Sequence, residues 1–238
     1  MSIIPGNTML LPFIKDEDLI LATKKIIDTM LKAGKTAEAK LYSNSIDPFS
    51  AMFDSIFHKL SLEEWLEREK ERQIQKTFQN TIGEFHQAIL GAIDGWENLG
   101  TGNIVDIKND NKKIVAEVKN KHNTTKGNHR VAVYDDLEAA IGKKEYKGYT
   151  GYFVEIIPKN KKNYNKAFTP SDNKTKTIRP KNEKIRIISG QAFYELASGD
   201  KDALKKLYMV LPSVISKVSG ISPKKGKLTF EHLFDKTY

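Results

Sequence analysis

The sequence predicts an α/β (α+β) fold, a mixed β-sheet flanked by helices and preceded by a helical N-terminal part. Three observations carry that expectation. Apolar residues recur at helical spacing from Leu19 to Ile93. From Gly95 the segments shorten, gain β-branched and aromatic residues, and are bounded by turn residues. Helical spacing then returns beyond Ala192. Helices, a β-meander, a crossover helix, a further strand and closing helices form the element order of a layered α/β domain.

Element by element, Leu19, Ile20, Thr23, Ile26, Ile27, Met30 and Leu31 define a first helix after Asp16. Asp47-Pro48 supplies an N-cap and a proline at the first helical position, followed by an apolar stripe of Phe49, Met52, Phe53, Ile56, Phe57 and Leu60. Ser61-Leu62-Glu63-Glu64 reads as a capping box opening a charged helix through Trp65, Leu66 and Glu69, continued by Phe78, Ile82, Phe85, Ile89 and Ile93. All these stripes are expected to lie in the core. Strands are expected at Trp96–Leu99, Asn103–Lys108, Lys112–Lys119, Tyr149–Ile157 and Lys184–Ile188, with a helix at Val133–Ile141. In the final helical run Pro212 is expected to kink or split the helix. Residues 1–74 form a helical region packed on the core, and residues 75–238 form the main domain.

Composition narrows the function. There is no apolar run near the roughly 18 residues of a membrane span, no secretory leader pattern and no cysteine. Disulfides and thiolate metal sites are excluded, and a cytoplasmic protein is expected. The formal charge of +9 points to a polyanionic partner. Most of it is concentrated in residues 158–188, where ten basic residues face only Asp172 and Glu183. A solvated lysine-rich loop is the plainer alternative for that segment.

The chemistry is concentrated in Ile104-Val105-Asp106 and Val115-Ala116-Glu117-Val118-Lys119. Apolar strands tolerate charged groups poorly, because desolvating each costs several kcal/mol. Alternation puts Val115, Glu117 and Lys119 on one face and Ile114, Ala116 and Val118 on the other. A two-residue turn at Asp110-Asn111 would pair Asn109 with Lys112 and place Asp106 opposite Val115. Asp106 would then lie diagonal to Glu117, with Cβ atoms roughly 7–8 Å apart. Two carboxylates so placed, with the Val118 carbonyl, suit a hard divalent cation, Mg²⁺ with Mn²⁺ able to substitute. Lys119 could orient or deprotonate an attacking water, or neutralise developing charge. The bland alternative is a surface ion pair on an exposed sheet face. His86, His122 and His129 lack metal-binding helical spacing.

At these residues the chain resembles the PD-(D/E)xK nuclease superfamily, and within it type II restriction endonucleases. The matching elements are Asn103-Ile104-Val105-Asp106, Glu117-Val118-Lys119-Asn120-Lys121 and an upstream helix bearing Glu84, within about residues 75–190. The His122-Asn123-Thr124 continuation is similar to enzymes cutting GGNCC or GGWCC palindromes. Val105 stands where the motif's proline would be. The resemblance implies Mg²⁺-dependent cleavage of double-stranded DNA to 5′-phosphate and 3′-hydroxyl ends at a short palindrome, by a homodimer whose genetic partner is a DNA methyltransferase. It assigns Asp106 and Glu117 as metal ligands, Lys119 as the catalytic lysine and Glu84 as an auxiliary helical acid, although a solvated carboxylate is the plainer reading of Glu84. DNA contacts are expected from Asn120, Lys121, Asn123, Thr124 and Lys126, and from Lys161, Lys162, Lys166, Arg179 and Lys181 of a basic loop spanning 158–184. The alternatives are a structure-specific or repair nuclease of the same superfamily, or a non-catalytic nucleic-acid-binding protein.

Overall fold

The structure is a computed structural model describing residues 9–100, 102–124, 127–172, 175–224 and 226–238. Three helices come first: α1 (Asp16–Lys40), α2 (Pro48–His58) and α3 (Leu62–Gly91). Their starts follow from local chemistry. The Asp47 carboxylate accepts from the Phe49 and Ser50 amides, and Ser61 and Glu64 close a reciprocal capping box. α3 is 30 residues long, and the 74/75 division drawn from sequence falls inside it.

The sheet has six strands: β1 (Glu97–Asn98), β2 (Ile107–Asn109), β3 (Ile114–Lys121), β4 (Thr150–Ile157), β5 (Asn165–Ala167) and β6 (Ile185–Ser189). Their spatial order is β1-β2-β3-β4-β6-β5. The central pairs β3/β4 and β4/β6 are parallel, and the outer pairs are antiparallel. Helix α4 (Gly127–Gly142) makes the crossover from β3 to β4, while α5 (Gly190–Ser198), α6 (Ala203–Ser219) and α7 (Phe230–Thr237) close the chain.

Strand alternation produces two cores. Ile114, Ala116, Val118, Val154 and Ile156 face α1, α3, α5 and α6 through Leu19, Phe85, Ile89, Phe193 and Leu204. Val115, Phe153, Ile185 and Ile187 face α4 through Tyr134, Leu137 and Ala140. Helices on both faces of a largely parallel centre explain why its strands read as near-continuous apolar runs.

Four sequence expectations need correction. Residues 103–106 lie outside any strand, and β2 starts only at Ile107. The β2–β3 connection is not the two-residue turn: Asn109 pairs with Ile114, Lys108 with Val115 and Ile107 with Ala116. Lys113 takes φ 56°, and the Asn109 side chain accepts from the Lys112 amide, so the loop absorbs two extra residues. Of the kink or split expected at Pro212, the split does not occur: α6 runs through as one helix, packed in the core by Leu204, Leu207 and Val214. Lastly, the α2 stripe is not core. Phe49, Met52, Phe53, Ile56 and Phe57 are 60–82% exposed, and α2 instead buries Ala51 and Ser55. Helical periodicity identifies an apolar face without saying what covers it.

Candidate active site

The site forms where the β2–β3 ladder stops. The last paired residues are Ile107 and Ala116, so Asp106 and Glu117 come next along the two strands. The two-residue register shift is even and therefore keeps Asp106 and Glu117 on compatible faces. It also brings them closer than the expected diagonal. The Asp106 amide donates to the Ala116 carbonyl at 2.9 Å, and its carboxylate Oδ2 accepts the Val118 amide at 2.7 Å. A side-chain oxygen thus does what a strand carbonyl would otherwise do. In a strand the N–H and C=O of one residue point the same way, so the Val118 carbonyl emerges on this same edge beside Asp106.

Glu117 and Lys119, two residues apart on β3, make an ion pair of 2.6 Å. Burial and the neighbouring Asp106 carboxylate raise the Glu117 pKa to about 7. Burial likewise raises Asp106, against the opposing Val118 amide and Lys119 charge. Burial acts to lower Lys119, but its hydrogen bond to Glu117 and the two carboxylate charges outweigh it and hold the ammonium above its usual value. The two acids share a hydrogen bond, and Gln87 of α3 also reaches Asp106. Two acids forced together beside one ammonium leave an excess of negative charge that a cation would relieve. Among the described residues no cluster of three or more His, Asp or Glu side chains forms a metal cage; the donor set is two hard carboxylates with a backbone carbonyl at hand. That set fits an oxygen-preferring ion that keeps several waters.

The sequence-derived site residues distribute unevenly. Asp106, Glu117, Val118 and Lys119 come together. Glu84 is turned to Lys25 at 2.8 Å, both groups being exposed, whereas Gln87 of α3 helps to hold the Asp106 pKa down. Asn120 and Lys121 finish β3. Asn123 is exposed in the following turn, where the Thr124 hydroxyl is spent on the Lys121 carbonyl. Lys126 lies outside the described residues. In the basic segment, Lys161, Lys162 and Lys166 are exposed and have no carboxylate partner among the described residues. Arg179 is committed through a fork to Asp135 of α4 at 2.7 and 2.8 Å, and Lys181 pairs with Glu183. The segment also contains strand β5, so it is partly folded onto the sheet rather than wholly loop.

One buried group was missed. Glu155 on β4 is 2% exposed and is the register partner of Lys119. Arg130 of α4 and the Tyr164 hydroxyl both donate to it. The Arg130 guanidinium is stacked 5.3 Å from both the Phe153 and Phe168 rings. The signal was available: a lone carboxylate in Tyr152-Phe153-Val154-Glu155-Ile156-Ile157 is as anomalous as Glu117.

A six-stranded mixed sheet flanked by helices, with acid, acid and ammonium where the β2–β3 ladder ends, is consistent with the restriction-endonuclease class. The Eco47II restriction endonuclease family model matches residues 11–219. The type II restriction enzyme Eco47II of Escherichia coli is 42% identical over 93% of this chain and 92% of its own length. The type II restriction enzyme Sau96I of Staphylococcus aureus is 33% identical over 91% and 83%. The chain belongs to the Eco47II restriction endonuclease family. It is a type II restriction endonuclease, a site-specific deoxyribonuclease acting on double-stranded DNA, and its class implies dependence on a divalent metal. No helix among the described residues is long and apolar enough to cross a membrane.

Proposed function

We propose that the enzyme hydrolyses DNA phosphodiester bonds with Mg²⁺ held by Asp106, Glu117 and the Val118 carbonyl, leaving 5′-phosphate and 3′-hydroxyl ends. The observation that carries this reading is the convergence of Asp106, Glu117 and Lys119 at the end of the β2–β3 ladder. When bound, the ion supplies Lewis-acid polarisation of the scissile phosphate and a lowered pKa for water. Asp106 and Glu117 provide the anionic oxygens. The Val118 amide fixes the Asp106 carboxylate in place, and Gln87 lends it a weaker polar neighbour. Lys119, kept charged and hydrogen-bonded to Glu117, orients the attacking water or offsets charge growing on the phosphate.

The substrate is a short palindrome, of the GGNCC or GGWCC kind, cut by a homodimer with one active site per strand. A DNA methyltransferase is its genetic partner, and the cytoplasm its location. Lys161, Lys162 and Lys166, exposed and without carboxylate partners among the described residues, are the phosphate contacts, with Asn120 and Lys121 at the end of β3 and Asn123, Thr124 and Lys126 after it in sequence. Arg179 and Lys181, already paired within the protein, serve to hold the basic segment rather than to read bases. Glu84 is left without a catalytic part, and Gln87 takes its place as the helical contribution.

The deciding assay is plasmid digestion with Mg²⁺ or with chelator. Glu117→Ala and Lys119→Ala should each lower cleavage by at least about 10³-fold with an unchanged circular dichroism spectrum. Wild-type cutting by both variants removes the assignment. A structure-specific repair nuclease would give no discrete bands from intact plasmid. Neutralising Lys161, Lys162 and Lys166 together to Gln should weaken binding to all DNA sequences and flatten the log–log salt slope by about 2–3. An unchanged slope takes those residues out of the interface.

A further inference from the structure

Among the described residues, the outer face of α2 has no role in the site and no cover. Phe49, Met52, Phe53, Ile56 and Phe57 recur at i, i+3, i+4, i+7 and i+8, and all are 60–82% exposed. Leu62, at the start of α3, is a further 58% exposed. The helix is held to the protein by its opposite side: Ala51 and Ser55 are buried, and Asp54 accepts the Trp65 indole N–H at 3.0 Å. The stripe is therefore set outward by design of the anchoring face rather than left loose.

We infer that this stripe is the surface through which two copies of the chain associate. The inference rests on the homodimer reading above and names its interface. Area is the first argument. With three aromatic rings and two aliphatic chains so exposed, the stripe presents roughly 600 Å² of apolar surface. That matches or exceeds the largest patch on a typical monomer, about 300–600 Å². It also supplies most of the ~800 Å² per partner of a standard interface. Charge is the second argument. Pro48–His58 contains no lysine or arginine, although the chain carries a net +9. With no Lys or Arg within it, and Lys59 only at its C-cap, the helix is unsuited to DNA phosphates and lacks the Lys/Arg-rich polar face of helices that lie on anionic membranes. What suits it is another apolar face, and a two-fold axis supplies one by pairing the stripe with its own copy. Phe53, central in the stripe, then lies near the axis.

The chain has no cysteine, which makes the test clean. Analytical ultracentrifugation of the full-length protein should show a dimer, and the doubly substituted Phe53→Asp, Phe57→Asp protein should sediment as a monomer with unchanged circular dichroism, its dissociation constant raised at least 100-fold. Independently, Phe53→Cys should form a disulfide-linked dimer on mild oxidation, with the wild type as an unreactive control. A wild-type dimer that persists in the double variant, with no cross-link through residue 53, overturns the assignment of this surface while leaving the homodimer reading standing. A monomeric wild type overturns both. Plasmid cleavage by Glu117→Ala reports separately on the catalytic site and is unaffected by either outcome.

Discussion

Glu117 and Glu155 are carboxylates on neighbouring strands, each embedded in an apolar run, yet their surroundings are opposite. Glu155 receives Arg130 on one oxygen and the Tyr164 hydroxyl on the other, and the arginine itself lies against two phenylalanine rings that touch each other. Its charge is answered within the fold. Glu117 meets one ammonium and a second carboxylate, and its pKa climbs to about 7 as a result. The difference teaches how a buried acid is assigned. A carboxylate whose charge and lone pairs are satisfied reads as structural, whereas one whose neighbours leave negative charge in excess takes up a proton or a cation and is a candidate for function.

The comparison can be broken by substitution. Glu155→Ala strands Arg130 in a half-buried position without its counter-charge, and should cost about 3–5 kcal/mol, read as a fall in Tm of roughly 10 °C in thermal denaturation. A fall no larger than that of Glu117→Ala would erase the distinction between the two glutamates. Glu117→Gln should act the other way in metal-free protein. Because the folded pKa is raised above the usual 4.5 to about 7, the native state holds a proton that the unfolded chain releases in between. Stability conferred by that proton is present below pH 4.5 and is lost as pH rises through 7. The glutamine variant has no such loss. Its Tm should match the wild type near pH 4.5 and exceed it by several degrees at pH 7.5, on the order of 1–3 kcal/mol. A constant difference across that range would show that burial and Asp106 do not perturb Glu117.

The sheet, its order of elements and the proximity of Asp106, Glu117 and Lys119 were legible in the sequence because they rest on local rules. Alternation placed Glu117 and Lys119 on one face, and the Asp47 and Ser61 caps marked their helices. What was not legible depends on distance in space. The αL residue Lys113 lengthened the β2–β3 loop and moved the register by two, which only the paired strands reveal. Gln87 reaches Asp106 from a helix nearly twenty positions earlier, with no periodic signal to separate it from Glu84. Strand β5 is three residues of Asn165-Lys166-Ala167, too short and polar to stand out in a lysine-rich stretch. The α2 stripe had the pattern of a core helix, and periodicity is blind to whether the covering surface comes from the same chain. Glu155 differs from these, since the reasoning that isolated Glu117 applied to it equally.

The brevity of β2 fixes more than a sheet edge. Had that strand begun two residues earlier, at Val105, a peptide carbonyl would meet the Val118 amide, and the Asp106 side chain would lose the donor it now accepts from. The position of the Asp106 carboxylate, the metal ligand proposed above, is thus tied to where hydrogen bonding between two strands gives out. Any insertion or deletion that slides this boundary shifts an anionic oxygen by a residue's length, so the active centre and the sheet margin can only change together.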